Sequence, residues 1–381
     1  MDALFVLQEV RYMRIGKGFT RREPIEIVSH SPSDEVTEVT LPDKRNLLYL
    51  PAPSHTELVF TPYWWNRLRR VANVVEWDRN LPCTAENLAQ RIGEFEVLVT
   101  AWGSPHLTDA VLHNARKLRL IAHAAGSVKF MLSHEAVRQY LIPRGIRVFS
   151  GNGAIALNVA EATIGMMIMG VRRWMNHALA YHERGVWRDP AIPANGQYLL
   201  GATVGLVSCS TVARDVIRLL RPFHTRLLVY DPFLPTQEAR RMRLQMVDLE
   251  TLFHEAHIVS VHAPLLPETE GLIRAEHLRL LREGSVLVNT SRGKVIDHHA
   301  LLEEARTGRF TAVLDVTDPE PLPPDHPLRH LPNVIVLPHI AGAGYFGYYR
   351  IGELLVRAVE AVGRELPFEG EVPLSRYERI A

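Results

Sequence analysis

Two successive blocks of short, apolar, β-rich runs, separated by segments of helical pattern, leave this chain few architectures other than α/β. A run that is apolar at consecutive positions must be covered on both faces, as parallel strands between layers of helices are. In the first block strands are expected at 46–50, 73–77, 96–100, 119–123 and 146–149, with helices at 63–72, 84–92 and 108–116. In the second they are expected at 203–207, 227–230, 258–261, 285–289, 312–316 and 334–337, the count of a complete dinucleotide-binding sheet. The expected fold is therefore two doubly wound parallel-sheet domains, a Rossmann domain and a smaller flavodoxin-like one, with a cleft between them.

A long apolar helix is expected over 158–174, then a polar, Gly- and Pro-containing stretch over 183–197, and a last helix over 348–362. Residues 1–45 have mixed charges and no clear period. They read as an extension of uncertain structure, solvated or packed on a partner in preference to regulatory.

The chain has 381 residues, 47% of them hydrophobic, enough for two cored domains. Its net charge of +1 argues against nucleic acid as a main partner. The longest apolar stretch, about 162–171, is too short to span a bilayer, and the opening MDALFVLQEVR lacks the layout of a cleavable signal, so no membrane association and a cytoplasmic location are expected. Cys83 and Cys209 have no metal-ligand spacing, so neither a disulfide framework nor a metal site is expected.

The candidate chemistry lies near the carboxyl end, where Arg292, Glu320 and His339 stand in the segments NTSRG, DVTDPEP and LPHIAG, each at the expected end of a strand. An arginine fork matches a carboxylate, an imidazole carries a proton near neutrality, and a carboxylate beside it favours the protonated ring. Reversible hydride transfer at a 2-hydroxy acid needs that set.

A nucleotide site is expected in GLVSCSTVA, between a strand and a helix. The positions that a G-x-G-x-x-G loop would fill hold Ser208, Ser210 and Ala213. Ser208 stands where a glycine would take backbone angles that strain a serine. The Ser210 hydroxyl, with the helix amino end at Thr211 and Val212, still offers donors to a phosphate. Asp231, ending the next strand, is placed to accept from ribose hydroxyls and to repel a 2′-phosphate, which favours NAD over NADP.

The segments NTSRGKVID, VLDVTDPEPL and NVIVLPHIAG, in that order, resemble three signatures of the D-isomer-specific 2-hydroxyacid dehydrogenase family, and the resemblance runs from about Leu47 to about Gly363. It implies a discontinuous substrate domain, 46–155 with 342–381, around a nucleotide domain, 156–341. It implies that Arg292 binds the substrate carboxylate, that His339 carries the proton and that Glu320 supports it. It further implies that His262, Thr290 and Ser291 line the cofactor and that Asp315 faces the nicotinamide carboxamide. The Gly126, Ser127 and Val128 turn would complete the carboxylate site, Lys129 stands where many relatives carry Asp, and Trp102 would line the substrate pocket. It also implies D chirality at carbon 2 and a homodimer built on the nucleotide domain through an arm around 181–200.

Two other classes share this architecture. Formate dehydrogenases replace the acid partner of the histidine by an amide, which Glu320 argues against. A non-catalytic, NAD-dependent regulatory protein would fit the altered phosphate loop, but a binder has no chemical need for Arg292, Glu320 and His339 together.

Overall fold

The computed structural model describes residues 44–193 and 196–379, and within them every strand expected from the sequence forms. The extension expected over 1–45 lies outside the described residues apart from Lys44 and Arg45.

The first sheet contains β1 (Arg45–Tyr49), β2 (Ala72–Glu76), β3 (Val97–Thr100), β4 (Leu120–His123) and β5 (Arg147–Ser150), all parallel in the order β2-β1-β3-β4-β5. Every residue of β3 and β4 is buried, whereas β2, at the edge, is mostly exposed. The second sheet contains β6 (Thr203–Val207), β7 (Arg226–Tyr230), β8 (Gln245–Met246), β9 (Ile258–Val261), β10 (Val286–Asn289), β11 (Thr311–Leu314) and β12 (Val334–Val336). It too is parallel, in the order β12-β11-β10-β9-β6-β7-β8. Every strand of this sheet but the exposed edge strand β8 feeds a core on both faces: β10 sends Leu287 to one and Val286 with Val288 to the other. Burying side chains of this kind contributes about 1.5–3 kcal/mol each.

In both orders the chain begins in mid-sheet and later crosses to the other side. The reversals fall between β1 and β3 and between β6 and β9. Crevices outside the carboxyl ends of strands at such reversals are where open α/β sheets take ligands. The segments after Tyr49, Thr100, Val207 and Val261 thus face candidate binding space.

The long helix runs Asn152–Arg172, starting before the expected 158, so the expected domain border at 155 falls inside it. It is long and apolar enough to cross a membrane by length and composition, unlike the 162–171 stretch alone, and 44% of its most apolar window is buried. It packs on helices Thr211–Leu220 and Tyr345–Val362 and on β10 and β11. At Gly170 it comes so near the sheet that a Cβ would lie 2.6 Å from Val286. Arg173, in the left-handed region at φ +50°, ends it, and a second helix follows over Trp174–Arg184. The expected helix end at 174 falls one residue past that break, and the helix Trp174–Arg184 is an addition to the expected elements.

Helix Tyr345–Val362 returns the chain to the first sheet, where a Cβ on Gly352 would lie 2.2 Å from the Val59 carbonyl. Its partner there, helix Pro53–Val59, escapes a periodicity reading because it is short and opens on proline.

Candidate active site

Glu320 and His339 leave the carboxyl ends of the neighbouring strands β11 and β12, and the fold brings Glu320 Oε1 into direct hydrogen-bonding contact with His339 Nδ1. Nε2 of the ring has no partner among the described residues, and the imidazole is half exposed. His339 sits at φ +53°, a conformation that a residue with a Cβ keeps only when its surroundings fix it. Asp315 fixes it. Its buried carboxylate accepts from the N–H groups of Ile340 (2.8 Å) and Ala341 (2.9 Å), and its carbonyl accepts from the His339 N–H (3.0 Å). Asp315, expected at the nicotinamide carboxamide, is thus turned into the histidine loop. Sequence gives the position of a carboxylate but not the direction of its side chain.

Arg292 sits on a turn built by Asn289, a buried residue that the sequence analysis missed. Asn289 Oδ1 accepts from the Ser291 N–H (3.0 Å) and hydroxyl (2.9 Å), and its Nδ2 donates to the Arg292 carbonyl (3.1 Å). The Thr163 hydroxyl donates to the Val159 carbonyl (2.7 Å), so in its 3.0 Å contact with Thr290 the Thr290 hydroxyl is the donor. Ser291 and Thr290, expected along the nicotinamide ribose, therefore keep lone pairs there but have committed their hydroxyl protons within the protein. Gly293 lets this turn cross the Glu320 loop, since a Cβ would lie 2.0 Å from the Thr317 carbonyl. Arg292 Nη1 donates to the Ser291 carbonyl (2.6 Å). Arg292 is exposed on that turn, yet neighbouring protein atoms displace enough water to lower its pKa, and the Glu320 charge opposes that shift, so the cation stands within electrostatic reach of the acid–imidazole pair.

At the nucleotide loop Ser208 adopts φ +77°, the left-handed conformation expected of a first-position glycine. Its hydroxyl donates to Asp231 Oδ2 (3.3 Å), which also accepts from the Cys209 N–H (2.8 Å). Left-handed backbone with a Cβ costs about 1–2 kcal/mol, and these two bonds offset it. Asp231 Oδ1 accepts from the Phe233 N–H (2.8 Å) and has a lone pair left for a ribose hydroxyl. Ser210 caps helix Thr211–Leu220 by accepting from the Ala213 N–H (3.4 Å), which leaves its own proton to donate. The N–H groups of Ser210, Thr211 and Val212 have no acceptor among the described residues. That set fits the diphosphate of a dinucleotide. The neighbouring Arg214 is already paired with Glu238 at 2.7 Å. His262, expected beside the cofactor, has a buried side chain whose Nε2 lies 2.9 Å from the Ser260 hydroxyl, and burial holds its pKa down at about 3, so the ring faces the protein interior as a neutral group.

On the first sheet, the N–H groups of Ala125, Gly126, Ser127 and Val128 have no acceptor among the described residues, and so form an anion-receptive turn. The Ser150 hydroxyl anchors it by donating to the Gly126 carbonyl (2.7 Å). Gly126 has an ordinary φ, and a Cβ there would meet nothing closer than 3.9 Å, so the turn does not depend on glycine. The Val128 side chain belongs to the core, which leaves only its N–H to the site. Lys129 Nζ donates to the Glu378 carbonyl (3.3 Å) on the far carboxyl-terminal turn. Trp102, half exposed, is held edge-on between His55 (ring centroids 5.2 Å apart) and Tyr348 (5.8 Å). Nε2 of His55 lies 2.8 Å from the carbonyl of Ala124, directly before the turn. His55 and Tyr348 join the site only through tertiary contact. Tyr348 follows His339 in the chain, so helix Tyr345–Val362 links the histidine loop to the Trp102 side. Asn158, donating to the carbonyls of Gly342 (3.0 Å) and Gly344 (2.8 Å), fixes that connection.

A complete Rossmann sheet, a phosphate-ready helix end, a guanidinium and an acid-supported imidazole define a nucleotide-dependent oxidoreductase. Residues 164–341 match the family described as D-isomer specific 2-hydroxyacid dehydrogenase, NAD binding domain. The chain is 31% identical over 300 residues to a glyoxylate reductase of Korarchaeum cryptofilum, covering 78% of this chain and 87% of that protein. It is 30% identical over 309 residues to a D-3-phosphoglycerate dehydrogenase of Methanocaldococcus jannaschii, covering 81% of this chain but 57% of that longer protein. Among solved structures, the TT0316 protein of Thermus thermophilus superposes with a TM-score of 0.67 at 31% identity, over 86% of this chain and 99% of that one. The chain belongs to the D-isomer-specific 2-hydroxyacid dehydrogenase family, with NAD as its cofactor. It is an NAD-dependent oxidoreductase of 2-hydroxy and 2-oxo acids, and the non-catalytic alternative falls away.

Proposed function

We propose that the protein reduces a small 2-oxo acid to the D-2-hydroxy acid, with glyoxylate and hydroxypyruvate as the first substrates to test. The observation that carries this is the contact of Glu320 with His339 beside Arg292. Arg292 and the 125–128 turn hold the carboxylate from two sides, and Arg292 also draws electron density from the carbonyl oxygen. His339 delivers its Nε2 proton to that oxygen while Glu320 supports the cationic ring. Bound in its reduced form, NADH, the cofactor would supply the hydride to carbon 2. Asp231 takes the adenosine ribose, and Ser210, Thr211 and Val212 take the diphosphate. Trp102, wedged by His55 and Tyr348, restricts the group on carbon 2, which supports small substrates. Relatives named glyoxylate reductase and hydroxypyruvate reductase support the same choice.

NADH oxidation with a graded series of 2-oxo acids tests the reading, with chiral analysis of the product. Turnover should fall as the carbon 2 substituent grows, and the product should be the D isomer. Equal turnover of bulky aromatic 2-oxo acids, or an L product, would overturn it.

The working form is a homodimer on the nucleotide domain. Exposed Trp174, Leu179, Tyr181, Trp187, Tyr198 and Leu200 support this, being an apolar set on one segment beside the half-buried long helix. Sedimentation at micromolar concentration should give twice the chain mass, and a monomer there would refute the arrangement. The protein is placed in the cytoplasm, a reading supported by its two free cysteines, Cys83 and Cys209.

A further inference from the structure

His298 is the first residue of helix His298–Ala305 and appears in no expected site set, yet it touches the loop that carries Glu320. Its Nε2 lies 3.1 Å from the Asp318 backbone nitrogen, and its Nδ1 lies 3.0 Å from the Ile296 carbonyl. An N–H only donates and a carbonyl only accepts. Nε2 must therefore be bare and Nδ1 must carry the proton, which selects one tautomer of the neutral ring. The ring bridges the segment that begins at Arg292 and the segment that ends at Glu320. It does so a short way along from Gly293, where the same two segments are already in backbone contact.

We infer that His298 is a positioning residue for the acid–base pair: as the neutral Nδ1–H tautomer it pins Asp318, and through it holds Glu320 against His339. A second proton on the ring would set Nε2–H against the Asp318 N–H, donor against donor, and release the loop.

The surroundings favour the neutral ring. Burial lowers the pKa of His298 and outweighs the opposing hydrogen bond to Ile296. Three ionisable groups also face it. Asp318, on the pinned loop, and Asp297, on its own element, favour the cation, while His326, before the turn Pro327–His330, disfavours it. With the folded pKa depressed, the contact is complete above the ordinary imidazole range and weakens as pH falls below it.

This rests on the proposed role of Glu320 and His339, so the test has one arm that does not use activity. In the intact protein, nitrogen NMR of the histidines should show His298 neutral at pH 7 with its proton on Nδ1. An Nε2–H tautomer or a cationic ring would overturn the inference whatever the enzyme does.

The second arm compares His298→Gln, which keeps an acceptor near Nε2 without a titrating ring, with His298→Leu, which leaves the Asp318 N–H unpaired. His298→Leu should lower kcat by about tenfold while KM for the 2-oxo acid stays within about twofold, because the carboxylate clamp is untouched. His298→Gln should return kcat to within about threefold of the parent and remove a limb from the acid side of the pH profile. Equal losses in both variants, or a rise in KM without loss of kcat, would assign His298 to packing alone. If His298→Leu fails to fold, the glutamine variant and the tautomer still decide the matter.

Discussion

Replacing His339 with glutamine is expected to lower kcat for 2-oxo acid reduction by about 10²–10⁴-fold, the range for removing a positioned acid–base group. Glutamine fills similar space and can still donate a hydrogen bond, but it cannot surrender a proton to the substrate oxygen. NADH binding should stay within about twofold of the parent, because the phosphate loop and Asp231 lie on other strands. The two directions should respond to pH in opposite senses, since reduction draws on the protonated ring and oxidation on the bare one. Stopped-flow kinetics beside NADH fluorescence titration separate the two effects. A kcat within a factor of a few of the parent would remove His339 from proton transfer.

Arg292→Gln should be nearly as severe, with kcat/KM down by about 10²–10³-fold, since a charge-assisted pair and a donor to the developing oxyanion are both lost. Both KM and kcat should change, because the guanidinium serves the carboxylate in the ground state and the carbonyl oxygen later. Arg292→Lys keeps the charge but not the fork, and should recover only part of the loss. If Arg292→Gln raised KM alone, the residue would bind substrate without aiding the reaction.

How far these residues could be read in advance depended on where their contacts lie. The two sheets were legible because parallel strands buried on both faces leave unbroken apolar runs such as VLVT, LIAH and VLVN. Glu320 and His339 were legible because each follows such a run by a few residues, so strand order alone brings them side by side. His298, His55 and Tyr348 were not, since each enters the site through contact with a segment distant in sequence, and Asn289 was not, because its turn-building bonds follow from a side-chain direction that sequence does not give. The buried direction of Asp315 and of His262 was hidden for a related reason. A strand end has two faces, and composition does not say which one a polar side chain takes. The extra turns at the start of helix Asn152–Arg172 were hidden by Asn152 and Gly153, exposed residues of low helix propensity that locally favour a loop.

The crossing at Gly293 also bears on motion. Gly293 locks the Arg292 turn to the Thr317 backbone, and Asp315 locks the His339 loop to β11, so cation, acid and imidazole ride on one rigid body. The free N–H groups of residues 125–128 belong to the other sheet. Hinge bending between the sheets would leave the proton relay intact and change only the reach of that second anion grip. The arginine half of the carboxylate grip thus travels with the proton relay and only the main-chain half does not, so mutations that loosen the hinge should raise KM more than they lower kcat.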